Sequence, residues 1–192
     1  RVGLPLMAQA QNNREQLKRI YLHTIRMTTS VNFPVYTGLA VFAHEVILVI
    51  FGTKWLSATP LLQVLALWGM LRSVGNPAGS LVFAVGRADL AFRWNLVLAV
   101  LIPLFIWLAV QYGGVKGLAV IQAIIMAGLI VPAWLVLIRP CCGARLDEFA
   151  PQILVPLLLS GLSGLAAWIS ILAFEDTTSR LAVGILVGGV SY

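Results

Sequence analysis

The feature that most constrains this chain is a series of long apolar runs, at about 27–51, 59–85, 94–112, 115–138 and 151–174, with a sixth beginning near 181. Each complete run is near or above the roughly 20 residues needed to cross a hydrocarbon core as a helix. The runs are apolar on all faces instead of alternating, which favours helices over strands. Of the 192 residues, 60% are hydrophobic and 10% charged, against globular norms of about 45–50% and about 25%. Mean hydropathy is +0.95. A soluble domain of this size keeps too much surface exposed to hide so many apolar side chains. Soluble enzyme, disordered tail and disulfide scaffold are thereby excluded, and the expected fold is an all-α polytopic transmembrane bundle of about six spans.

Charge placement gives an orientation. Arg1, Arg14, Lys18, Arg19 and Arg26 precede the first run; Arg87 and Arg93 follow the second; Arg139 and Arg145 follow the fourth. The alternate loops hold Lys54, Lys116 and Arg180. Cytoplasmic loops are enriched in Lys and Arg, so the N-terminal segment is expected in the cytoplasm. The net charge of +6 is read as this topological bias, and nucleic acid is not expected as a partner. The organisation expected is a cytoplasmic polar or amphipathic segment, 1–26, followed by the helix bundle, 27–192. Asn13 and Gln16 have capping-box spacing, and Leu17, Ile20, Tyr21 and Thr24 then recur at helical spacing. This segment is either an amphipathic surface helix or the basic end of the first span extended into water. The chain opens at Arg1 and ends at Tyr192 inside an apolar run, so it is expected to be a piece of a longer membrane protein.

Pro34, Pro77, Pro103, Pro132 and Pro156 fall inside the runs. Such breaks suit the bent helices of transporters, although proline is also simply commoner in membrane helices. Small residues four apart (Gly75 and Gly79, Ser160 and Gly164, Gly184 and Gly188) are expected to let helix backbones approach closely.

Intramembrane polar residues are expensive and therefore informative. Arg72 lies near the middle of the second run, with Trp68, Asn76 and Gly79 at helical spacing on the same face and Pro77 beside Asn76. A guanidinium facing an aqueous cavity can fork onto phosphate oxygens. Arg72 and Asn76 are thus the candidate substrate-binding residues. The competing role for Arg72 is a structural pair with an acid on a neighbouring helix. Glu45 and His44 lie inside the first run and are candidates for proton or cation coupling; the competing reading is solvation at headgroup level. Catalytic and metal-ligating constellations are absent from the sequence: it holds no Gly-x-Ser-x-Gly, no His-Glu-x-x-His and no phosphate loop, and the adjacent Cys141 and Cys142 have no zinc-like spacing. No cofactor is expected and the protein is not expected to be an enzyme.

A series of short motifs runs through residues 1–140. It comprises Leu4-Pro5-Leu6, the polar segment 9–21, Pro34 with Gly38-Leu39-Ala40, and Phe51-Gly52-Thr53-Lys54-Trp55 with Ala58. Ala84-Val85-Gly86-Arg87 and Gly114-Val115-Lys116-Gly117-Leu118-Ala119 complete it. The series resembles the C-terminal half of bacterial polysaccharide flippases of the O-antigen and exopolysaccharide type, in the multidrug/oligosaccharidyl-lipid/polysaccharide exporter superfamily. The resemblance implies two helical lobes around a central cavity, of which this chain resembles one. It also implies alternating access at the bacterial inner membrane. The implied substrate is undecaprenyl-pyrophosphate-linked oligosaccharide, with membrane lipid and polysaccharide polymerase machinery as further partners. It assigns no substrate residue, so Arg72 rests on physical reasoning. The rival readings are a cation-coupled multidrug exporter of the same superfamily, which would favour acids in the cavity, and a membrane-embedded glycan polymerase or transferase, which would need long outer loops.

Overall fold

A computed structural model describes residues 7–11 and 13–173 of the chain. All regular structure among them is helical. Helix α1 (Arg14–Val41) is followed by α2 (Ala43–Phe51), a short 3-10 segment (Thr53–Ala58), α3 (Thr59–Ala84) and α4 (Ala88–Ala133). A π-helical stretch (Trp134–Ile138) then leads into the short helices α5 (Arg139–Cys142) and α6 (Leu146–Phe149), and α7 (Pro151–Ala173) closes the described part.

The N-terminus of α1 is set by Asn13, whose side-chain oxygen accepts a hydrogen bond from the Gln16 N–H at 3.1 Å, satisfying one of the unpaired donors of the first turn. From there α1 runs unbroken through Arg26 and Met27. Its stripe of Leu17, Tyr21, Ile25, Thr29 and Phe33 is buried, at the spacing of one helix face. That stripe packs into a single core with Val74, Ala78, Leu81 and Val82 of α3 and with Leu137, Cys141, Cys142 and Phe149. The amphipathic face of the polar segment is therefore covered by the protein's own helices. The Thr29 hydroxyl ties α1 to the start of α7 by donating to the Gln152 carbonyl at 2.8 Å.

The first expected span is broken. At Phe42 the axis turns by 73° between α1 and α2, and Phe42 itself packs with Ala167 of α7. The third expected span and most of the fourth fall within one helical run of 46 residues, α4, which would be about 69 Å long if straight; the fourth ends in the π-helical stretch. It is not straight. A Cβ added at Gly117 would lie 3.3 Å from the Ala109 carbonyl oxygen, whereas residues eight apart on a straight helix are separated by about 12 Å along the axis. The run therefore folds back between Ala109 and Gly117, where the sequence places the end of one span and the start of the next. Beyond it, Arg139 N–H bonds to the Trp134 carbonyl, five residues back. Pro140 supplies no donor at the following position, which favours this widened turn.

Three helical stretches among the described residues are long and apolar enough to cross a membrane: Ala88–Gln111, Gly117–Cys142 and Leu146–Ile169. A fourth is gained if the bent pair α1–α2 counts as one span. Five complete spans were expected from the sequence over this region. Helix α3 has the length, at 26 residues, but carries Gln63, Arg72, Ser73 and Asn76 and is less apolar than the other candidates. The sixth expected span lies outside the described residues. Large apolar side chains such as Phe92, Val100, Trp107, Leu158 and Leu162 are exposed, as they are where lipid is the solvent.

Close approach of helices uses some of the expected small residues and not others. A Cβ at Gly164 would come 2.5 Å from Thr37 Cγ2, so α7 lies directly against α1 there, and Ser160 on the same face is fully buried. A Cβ at Gly75 or Gly79 would meet nothing within 4 Å. Gly69, which carried no sequence signal, instead seats the Tyr36 ring, with Cε1 2.7 Å from where a Cβ would stand. Gly184 and Gly188 lie outside the described residues.

Candidate functional site

Helix α3 places Arg72 and Asn76 one turn apart, and both are exposed. Arg72 is the fourteenth residue of the 26 in α3, about 20 Å along the helix from its start. Its guanidinium carbon stands 5.3 Å from the centroid of the Trp68 ring, one turn back, a favourable cation–π distance. The next turn is broken by Pro77, which cannot donate to the Ser73 carbonyl. The Ser73 hydroxyl is itself committed to the Met70 carbonyl at 2.7 Å. Among the described residues no carboxylate lies within 4.0 Å of Arg72.

Arg72 and Asn76 border one cleft of about 210 Å³ between α3 and α4, with Gly75, Trp94, Leu98 and Phe149 among its other walls. The floor is apolar and the polar groups are a cation and an amide, so the cleft offers N–H donors to an anion within a largely hydrocarbon surround. Among the described residues none bonds to the five N–H donors of Arg72, and the ring beside it is uncharged, so toward these neighbours its charge is available to a ligand. Trp94 and Phe149 reach the cleft from distant parts of the chain. No local signal in the sequence points to either as a wall of the cleft.

The other two candidates sit apart. Glu45 and His44 occupy the first turn of α2, just past the 73° bend. Glu45 is buried, at 5% exposure, and His44 is exposed. Neither borders the Arg72 cleft. Among the described residues no group of three or more His, Cys, Asp and Glu side chains is placed to hold a metal ion.

Residues 1–60 match the family model described as polysaccharide biosynthesis protein. The chain is 32% identical over 197 residues to the teichuronic acid biosynthesis protein TuaB of Bacillus subtilis, covering 100% of this chain and 40% of that protein. It is 31% identical over 160 residues to the lipopolysaccharide biosynthesis protein WzxC of Escherichia coli, covering 83% of this chain and 32% of that protein. A more distant relative is the probable low-salt glycan biosynthesis flippase Agl15 of Haloferax volcanii, 25% identical over 118 residues, or 62% of this chain and 25% of that protein. The chain thus spans less than half the length of these relatives. No solved structure matches it. With its apolar helices and these relatives taken together, the chain is that of a multi-pass membrane protein similar to polysaccharide biosynthesis proteins, the kind of protein its motifs resemble.

Proposed function

We propose that the full-length protein flips lipid-linked oligosaccharide across the bacterial inner membrane by alternating access, and that this chain supplies one lobe. The reading makes it a transporter and not an enzyme. The observation that carries it is Arg72, a mid-helix guanidinium exposed to a cleft, braced on Trp68 at 5.3 Å and flanked by Asn76. Such a group suits the pyrophosphate of an undecaprenyl-linked glycan, since guanidinium–phosphate hydrogen bonds are charge-assisted and two-pronged. The charge in the cleft lining is the cation of Arg72, with no acid among the described lining residues, which disfavours the cationic substrates of a multidrug exporter. Glu45, buried beside the α1–α2 bend, is the proposed coupling group, with His44 beside it. The charge bias puts the N-terminal end of α1 in the cytoplasm, and polysaccharide polymerase machinery is the partner that would receive the flipped product.

The test is replacement of Arg72 in the full-length protein by Ala and by Lys, at matched membrane levels, with surface polysaccharide and inner-leaflet lipid-linked precursor measured together. A hydrogen bond to a charged group contributes about 1.5–3 kcal/mol, so the Ala variant should bind precursor roughly 10- to 100-fold more weakly, with precursor accumulating and surface glycan falling. The Lys variant keeps the charge without the fork and should fall between. Undiminished export by the Ala variant would remove Arg72 from the mechanism.

A further inference from the structure

We propose that the end of the bundle where α1 begins carries a second anion site, in which Arg14 and Arg139 hold the phosphate of a ligand lying at the membrane edge. The site is separate from the Arg72 cleft and does not rest on the flippase reading.

A pocket of about 470 Å³ opens there. Arg14, Glu15 and Lys18 of α1 form one wall, and Arg139, Cys142 and Arg145 the other. The four cations are not equivalent. Lys18 is taken: its Nζ lies 2.8 Å from Glu148 and 3.6 Å from Glu15. Arg145 stands 3.3 Å from Asp147. Glu15, the one acid in the wall, is shared between Lys18 and Arg19. Among the described residues no carboxylate lies within 4.0 Å of either Arg14 or Arg139.

Both of these guanidinium groups are nevertheless positioned, each by an uncharged support. Arg14 reaches the Pro140 carbonyl at 3.5 Å and lies over Gly143, where a Cβ would come within 3.2 Å of its Nε. Gly143 has φ +69°, a left-handed conformation that glycine adopts readily, so the same residue ends α5 and leaves space for the arginine. Arg139 lies 5.9 Å from the centroid of the Trp134 ring, and that indole is fixed by donating to the Ala144 carbonyl at 3.1 Å. Two oriented forks with donors to spare, facing one pocket, match the oxygens of a phosphate group. Basic pockets at the ends of membrane helices are where anionic headgroups bind. The phosphate belongs either to an anionic phospholipid headgroup or to a soluble phosphate compound.

The test uses the full-length protein in neutral detergent micelles. Binding of dioleoylphosphatidylglycerol and of dioleoylphosphatidylcholine is measured by native mass spectrometry, with and without inorganic phosphate as competitor. The protein should prefer phosphatidylglycerol. Each guanidinium removed, in Arg14→Gln and Arg139→Gln, should cut that preference about fivefold, and Lys at either position should retain part of it. Arg19→Gln makes the same change of charge at a side chain 83% exposed outside the pocket and should leave the preference intact. Loss of lipid to millimolar phosphate, dependent on the same two arginines, assigns the site to soluble phosphate; resistance assigns it to the headgroup. Equal losses in Arg19→Gln, or none in the Arg14 and Arg139 variants with unchanged thermal stability, overturn the site.

Discussion

A charge in the middle of a helix surrounded by apolar spans is costly unless something holds it, and Arg72 has such a support. The Trp68 ring, 5.3 Å from the guanidinium carbon, attracts the cation without engaging its N–H donors, which stay free to meet a ligand. Glu45 is buried at the first turn of α2, and there the positive end of a helix, which favours a carboxylate, offsets part of the cost of burial. Its proposed coupling role makes a sharp prediction. Glu45→Gln, which keeps size and removes titration, should preserve precursor binding while export loses its dependence on the transmembrane pH gradient. Transport assayed in proteoliposomes with and without an imposed gradient checks this, and an unaltered gradient response in the Gln variant would assign Glu45 to structure. At this scale the sequence was readable only along a single helix. The spacing of Arg72 and Asn76 placed them on one face, and both do border one cleft. Trp94 and Phe149 were not readable, because they arrive there through folding of α4 and of the chain beyond it.

Among the helices, small residues matter where another helix stands over them and nowhere else. Gly164 meets Thr37, a β-branched side chain with little rotamer freedom in a helix. Gly164→Ala should therefore cost about 1–3 kcal/mol by overpacking, more than the roughly 0.5–1 kcal/mol that Ala gains over Gly in a helix. Gly79→Ala meets nothing within 4 Å and should show only that gain. Thermal unfolding in detergent measures both, and adding Thr37→Ser, which deletes the obstructing methyl, should recover most of the Gly164→Ala loss. If Gly164→Ala stabilises as Gly79→Ala does, α7 does not press on α1 as described. The spacing rule that singles out Ser160 and Gly164 equally singles out Gly75 and Gly79, because a four-residue interval marks a face without saying whether a neighbour covers it. The bend at Phe42 was likewise illegible. Neither Pro nor Gly stands at it, and the residue at the turn, Phe42, packs on Ala167, 125 positions away, a contact no local pattern announces.

Over the whole molecule, the arrangement of basic residues connects topology to chemistry. Arg14 and Arg139 are counted on the same side of the membrane by the positive-inside rule, and they share one pocket although 125 positions separate them. The count alone proposes a side; the fold-back of α4 between Ala109 and Gly117 brings the two arginines to one end of the bundle, in agreement with that proposal. This connection can be tested directly. In spheroplasts producing the full-length protein, a membrane-impermeant maleimide should label Lys54→Cys, in the segment between α2 and α3, and should leave Arg93→Cys, past the end of α3, unlabelled until the membrane is opened. Cys141 and Cys142 are buried and should give little background. The reverse pattern would put the Arg14–Arg139 pocket at the outer face. Any phosphate ligand there would then have to come from the outer leaflet, and the direction assigned to substrate entry would invert with it.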